Sequence, residues 1–199
     1  MNFLYNGINH EWIDLKDMGV RLKNKDIFQH PDLYVRQSAQ MGVKMNIKIM
    51  KPDASYLNDC ADALHNSELG RVYFPGSEKA VQAVKEGMAK KEIQIALSED
   101  GTCLGFLWII NNGAFHSFPY LHIIAVKEEY RGRGIGRKLL EYIEEAAKAK
   151  NQSKLFLVVA DFNPRAKQLY ESTGYHQIGT IPDLYKKGVT EYLMMKELS

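Results

Sequence analysis

Cysteine is scarce in this sequence, and its two copies, Cys60 and Cys103, fall in no Cys-x-x-Cys or Cys/His spacing. That argues against a disulfide framework and a zinc site, and the two thiols are expected as core residues of a reduced protein. The six histidines form no helical His-x-x-x-His pair, so no metal site is expected. No apolar run approaches the ~18 residues of a membrane span. The start of the chain also lacks the basic and continuously apolar segments of a signal peptide, so a cytoplasmic protein without membrane association is expected. Charge of neither sign dominates, with 26 basic and 24 acidic side chains leaving a net +2. A nucleic-acid partner, which calls for a basic stripe or a strongly basic domain, is not expected. Repeats and low-complexity tracts are missing too. What remains is 199 residues at 45% hydrophobic content, enough for one sizeable core.

The informative residues lie between His122 and Tyr175. An apolar strand, His122-Ile-Ile-Ala-Val126, runs through Lys-Glu-Glu-Tyr-Arg131-Gly-Arg-Gly134-Ile-Gly136 into an amphipathic helix beginning Arg137-Lys-Leu-Leu140. Glycines let backbone approach a ligand without Cβ interference, and the first N–H groups of a helix have no partner within it. An anion is therefore expected at this turn. Its spacing excludes two familiar classes. A dinucleotide fingerprint needs glycine where Arg137 stands, and no Gly-Lys-Ser/Thr of a Walker A loop follows.

The pattern Arg-x-x-Gly-x-Gly after a strand ending in valine resembles the acyl-CoA signature of the GNAT superfamily of N-acyltransferases. A second constellation, independent of the first, agrees. After Leu155-Phe-Leu-Val-Val-Ala160 comes Asn163-Pro-Arg-Ala166-Lys-Gln-Leu-Tyr170-Glu-Ser-Thr-Gly174-Tyr175, similar to the family's Asn-x-x-Ala-x-x-x-Tyr-x-x-x-Gly-Phe/Tyr helix at every marked position. The resemblance runs from about Asn46 to Leu198. It implies an α/β (α+β) GNAT fold, one mixed and mostly antiparallel sheet flanked by helices, with strands splayed where acetyl-CoA binds.

The periodicity is consistent with that architecture. Residues 1–45 are an extension of unknown role, mixed polar and aromatic, and residues 46–199 form the transferase domain. A first strand is expected over Met45–Met50, helices over Asp53–Asn66 and Ser77–Ala89, and strands over Ile93–Ser98 and Cys103–Ile110 around a hairpin at Glu99–Thr102. A strand Tyr120–Val126 leads through the turn to a helix Gly136–Lys150 that sets Leu139, Leu140, Ile143, Ala146 and Ala147 on one face. Asn66–Gly76 reads as a link whose Tyr73 and Phe74 suit either a hydrophobic staple or the border of an acceptor site. Thr180–Glu191 reads as a loop over the acceptor side.

The resemblance implies roles for named residues. Ile124, Ala125 and Val126 would offer backbone groups to the pantetheine arm of acetyl-CoA. Arg131, Gly132, Arg133, Gly134, Ile135, Gly136 and Arg137 would surround its pyrophosphate, mostly through main-chain N–H. Asn163 would touch the pantetheine arm, although Asn before Pro164, with Gly174 beyond the helix, is equally a cap pair. Tyr170 would approach the thioester sulfur; alone it also suits a core tyrosine. His122, with an imidazole pKa near ~6.5, suits a general base or a hydrogen-bonded core histidine, and by strand alternation it should share a face with Ile124 and Val126. Tyr120 occupies another position where related enzymes carry histidine. One departure narrows the acceptor: ribosomal-protein N-terminal acetyltransferases carry a glutamate five residues before the motif asparagine, where this chain has Val158.

The expected function is acetyl transfer from acetyl-CoA to a primary amine, more in keeping with a small molecule than a protein. Neither cysteine belongs to a nucleophile motif, so direct transfer is expected. An acyl-CoA-binding regulatory domain without turnover and a peptide N-acetyltransferase are the alternatives. Homodimer formation is left open by the resemblance.

Overall fold

The computed structural model describes residues 3–6, 11–14 and 46–198. The chain forms two compact units, Met1–Lys44 and Met45–Ser199. In the first, β1 (Phe3–Asn6) and β2 (Glu11–Asp14) pair antiparallel. The rest of the N-terminal extension lies outside the described residues.

The second unit runs β3 (Lys48–Met50), α1 (Leu57–His65), α2 (Glu68–Tyr73), α3 (Ser77–Ala89), β4 (Ile93–Leu97), β5 (Cys103–Ala114), β6 (Phe118–Val126), α4 (Ile135–Lys148), β7 (Lys154–Ala160), α5 (Pro164–Ser172), β8 (His176–Pro182) and β9 (Thr190–Glu197). Its seven strands make one sheet in the order β3-β4-β5-β6-β7-β9-β8. Every pairing is antiparallel except β6 with β7. The parallel pair, β6 and β7, is joined by the crossover helix α4, because parallel neighbours need a long connection. This is the mixed, mostly antiparallel sheet flanked by helices that was expected.

Both faces of the sheet are covered. On one, Leu139, Leu140 and Ile143 of α4 pack with Leu107, Leu121, Leu155 and Leu157. On the other, Cys60, Ala61 and Leu64 of α1 and Ala80 and Val84 of α3 pack with Ile93, Ile95, Phe106 and Ile123. Each fully buried leucine or isoleucine contributes roughly 1.5–3 kcal/mol relative to an exposed one. Cys60 and Cys103 are free and buried in this second layer, as expected. They face each other, and burial with a shared hydrogen bond pushes the Cys60 thiol far up.

Several local expectations needed correction. The first strand is shorter than Met45–Met50, covering only Lys48–Met50. The link Asn66–Gly76 contains a helix, α2, because the Ser67 hydroxyl accepts the Gly70 N–H at 2.8 Å and caps its start. A side chain at Gly70 would put Cβ 1.8 Å from the Leu64 carbonyl oxygen, so glycine permits the close α1–α2 turn. On α4, Ala146 is exposed rather than core-facing. Glu144 is buried in its place, bonded to Lys196 Nζ at 2.6 Å. Thr180–Glu191 is not one loop: both ends belong to strands, leaving residues 183–189 as the connection.

Candidate active site

Strands β6 and β7 pair only at Tyr120 with Phe156 and Leu121 with Leu157. Beyond that point β6 continues its ladder with β5 to Val126, and β7 continues with β9 to Ala160. The two strands therefore part, leaving the facing edges of residues 122–126 and 158–160 without strand partners. Unpaired backbone N–H and C=O groups want a hydrogen-bonding ligand, and an amide-bearing chain can enter such a wedge. A cavity of about 760 Å³ occupies it, lined by His122 to Val126 and Val158 to Ala160.

At the end of β6 the chain turns through a 3₁₀ segment, Glu128–Tyr130, into the glycine turn. Gly132 and Gly134 both have φ of +79°, a left-handed backbone that a side chain disfavours. Gly134 caps α4 with no side-chain hydrogen bond, and the helical ladder begins with the Lys138 N–H donating to the Gly134 carbonyl at 3.0 Å. The N–H groups of Ile135, Gly136 and Arg137 precede that ladder and form the positive end of the α4 dipole. Gly136 has a second reason to be glycine, since a Cβ there would lie 3.1 Å from Leu169 of α5.

The arginines of the turn divide. Arg131 braces it, with Nε donating to the Val126 carbonyl at 3.0 Å and Nη2 to the Asn66 carbonyl at 2.9 Å. Arg137 lines the cavity and donates to Ser172 Oγ at 3.0 Å. Arg133 does not line the cavity. Its side chain lies over the Tyr130 ring and donates to the Glu129 carbonyl at 2.7 Å. Arg165, at the start of α5, does line it. Asn163 fills its cap role, accepting the Ala166 N–H at 3.3 Å, while also lining the cavity.

Tyr170 reaches the wedge from α5, 6% exposed, and burial pushes its hydroxyl pKa well above the ordinary phenol value. The hydroxyl therefore stays protonated near neutral pH. His122 also lines the cavity, but the expected face was wrong. One step on β5, from Trp108 to Ile109, is matched by two on β6, from Ile123 to Leu121. His122 is therefore the extra residue of a bulge, a device that re-aims a side chain. Its ring packs edge-on against Trp108 at 4.7 Å, in the layer of Ile123 rather than that of Ile124 and Val126. Burial lowers its pKa below the usual imidazole value, keeping it neutral near pH 7.

Another stretch of wall comes from scattered elements. Tyr73 ends α2 and donates its hydroxyl proton to the Glu191 carboxylate of β9. Tyr185, from the β8–β9 connection, stacks edge-on against Tyr73 at 5.8 Å, and its hydroxyl lies 3.1 Å from that of Tyr120. Phe162 flanks Tyr73 at 5.6 Å. Glu191 is 2% exposed; burial first, then the neighbouring Asp161 charge, raises its pKa, opposed by the Tyr73 hydrogen bond.

The acetyltransferase (GNAT) family model matches residues 61–175, over half of the sequence. The chain belongs to the GNAT family. Among curated GNAT relatives, N-alpha-acetyltransferase RimI of Mycobacterium tuberculosis is 30% identical over 141 residues, covering 69% of this chain and 87% of the relative. Bovine thialysine N-epsilon-acetyltransferase is 49% identical over 55 residues, 28% of this chain and 32% of the relative. An uncharacterised Mycobacterium leprae protein, 38% identical over 98 residues, is matched over 26% of its length. The chain thus spans about a third or less of two of these relatives. The fold agrees with solved structures such as Ard1 from Thermoplasma volcanium, which has a TM-score of 0.64 at 16% identity over 77% of this chain and 98% of that one.

Within the GNAT domain, the cavity gathers the expected Ile124, Ala125, Val126, Arg131, Gly132, Gly134, Ile135, Gly136, Arg137, Asn163, Tyr170 and His122. It leaves out Arg133. Glu191, Tyr185, Phe162 and Arg165 line the same cavity and were not singled out by sequence reasoning. Among the described residues no cluster of three or more potential metal ligands is present, and no helix is long and apolar enough to cross a membrane.

Proposed function

We propose that this protein transfers an acetyl group from acetyl-CoA to a primary amine by direct attack. The observation that carries this reading is the wedge between β6 and β7, which joins a helix N-terminus suited to a pyrophosphate to a buried tyrosine in one cavity. The backbone of Gly134, Ile135 and Gly136 would hold the pyrophosphate, with Arg137 and Arg165 adding charge. The open edge at Ile124, Ala125 and Val126 would hold the pantetheine arm, beside Asn163.

An alkylamine with a pKa near ~10.4 is unprotonated in about one molecule in 2,500 at pH 7, a deficit of roughly 4.6 kcal/mol. His122, neutral in its bulge, takes the proton. The amine nitrogen then attacks the thioester carbonyl, the carbon–sulfur bond breaks, and the proton left on the acylated nitrogen passes to the departing thiolate, which the Tyr170 hydroxyl meets with a hydrogen bond. Moving a proton from a phenol near ~10 to a thiolate near ~8.5 is uphill by about 2 kcal/mol, and the raised Tyr170 pKa widens that gap. Hydrogen-bond donation from Tyr170 is therefore the larger part of its role.

Support for a small-molecule acceptor comes from Val158, which puts an apolar side chain where the ribosomal-protein acetyltransferase pattern has glutamate. The RimI similarity favours a second reading, a peptide N-terminus as acceptor. A cytoplasmic location accompanies either reading, and a homodimer is compatible with both. The test is thiol release from acetyl-CoA over a panel of alkylamines, polyamines, amino acids and short peptides. Turnover with free amines above the no-acceptor rate supports the proposal; turnover with peptides alone selects the second reading. No turnover despite acetyl-CoA binding points to a regulatory binding domain.

A further inference from the structure

Glu191 is a buried carboxylate that lines the cavity with no cationic side chain paired to it among the described residues. It is 2% exposed, yet its one hydrogen-bond donor among the described residues is the neutral Tyr73 hydroxyl, and no ion pair there includes it. A carboxylate has about four acceptor sites, and burying one without a counter-charge is costly. Asp161 adds more negative charge nearby while its own Oδ2 is engaged by the Thr190 N–H at 3.2 Å. The walls around Glu191 are aromatic, with Tyr73, Phe162, Tyr185 and Tyr120 offering faces and edges suited to an alkylammonium group. A buried carboxylate set among aromatic rings suits a cation.

That cation is not the reacting nitrogen at His122. Contacts along the wall lead from His122 to Tyr120, from Tyr120 to Tyr185 and from Tyr185 to Tyr73, which holds Glu191. The charges that His122 feels are Glu92, Glu86 and Lys90, whereas the Glu191 charge acts on Tyr73 and Tyr120 and is itself influenced by Asp161. Resting on the transfer reading of this cavity, we propose that Glu191, held by Tyr73 within the Tyr120–Tyr185–Phe162 wall, binds a second ammonium group of the acceptor. The substrate class is then an aliphatic compound with two amines, one acetylated and one anchored.

Diamines, matched monoalkylamines and ω-amino acids separate this from simple amine selectivity. For the wild-type protein, kcat/KM should favour a diamine over a monoamine of equal length by about tenfold or more, mainly through KM, with the ω-carboxylate compound poorest. In Glu191→Gln the diamine-to-monoamine ratio should fall to near one, and acetyl-CoA affinity reports that the variant is folded. A ratio that survives in Glu191→Gln, or a wild-type ratio near one, overturns the inference while leaving transfer intact. Calorimetric titration of the diamine alone supplies the separate readout. Diamine binding weakened about tenfold in Glu191→Gln, without turnover in the wild type, keeps the subsite and removes the transferase reading. Equal diamine binding by both proteins removes the subsite.

Discussion

The glycine turn packs its part of the cavity wall into a few consecutive residues around Gly132, Gly134 and Gly136, and it presents mostly backbone. The wall around Glu191 is gathered from distant segments: the hydrogen-bonded Tyr73 and Glu191 are 118 residues apart, and Tyr120 and Tyr185 are 65 apart. A backbone site depends on φ angles and helix direction, so it is written as a local motif. A side-chain site depends on which strands the topology brings together, so no local motif records it. Under the proposed reading the same contrast separates the roles: the co-substrate would fall to the local device, and the choice of acceptor to the dispersed one.

The largest expected effect falls where the two parts meet. Tyr170→Phe removes one hydroxyl and should lower kcat by about 10²–10⁴-fold while acetyl-CoA affinity changes less than about twofold. Steady-state kinetics with a parallel binding titration would show it; equal losses in both would assign Tyr170 to packing. Next comes the turn. Gly134→Asp adds a side chain at φ +79° and a negative charge at the helix N-terminus, and should weaken acetyl-CoA by about 100-fold. Gly134→Asn, whose side chain tolerates that backbone and carries no charge, should recover part of the loss.

The pH dependence is smaller and has a definite sign. With His122 as the proposed base and its pKa lowered by burial, kcat/KM for the amine should hold as pH falls through about 6.5 and decline only below it, by about tenfold per unit. The folded state holds His122 neutral while the unfolded chain binds the proton from about pH 6.5 downward, so this group also costs stability as the solution is acidified. His122→Gln should flatten both profiles; an unchanged rate limb in that variant would remove His122 as the base. The smallest effect belongs to Tyr73→Phe, which keeps the ring and frees Glu191 of its donor. A change of about threefold to tenfold in amine KM is expected, with acetyl-CoA affinity unmoved.

What could be read in the sequence follows the same division. The turn, the Asn163 cap and the Tyr170 helix were legible because their geometry is set by neighbours within a few residues. The α2 helix left a fainter trace in Ser67, three residues before the Gly70 N–H it caps. His122 was placed on the wrong face because a period of two holds only in a regular strand, and the bulge opposite Trp108 inserts a residue that alternation does not foresee. Glu191 carried no signal in its surroundings. Its burial arises from β9 lying beside β7 and from Tyr73, at the end of α2, reaching its carboxylate, contacts fixed only when the chain is closed into a sheet. Ala146 and Glu144 were exchanged for a similar reason, because Lys196 of β9 stands under α4 to meet the carboxylate.

The division of the cavity is tested most directly by titrating acetyl-CoA calorimetrically into the wild type, Gly134→Asp and Glu191→Gln. Wild type and Glu191→Gln should bind with the same affinity within about twofold, and Gly134→Asp should bind about 100-fold more weakly. Wild-type affinity in Gly134→Asp, or a loss in Glu191→Gln equal to that in Gly134→Asp, would contradict it.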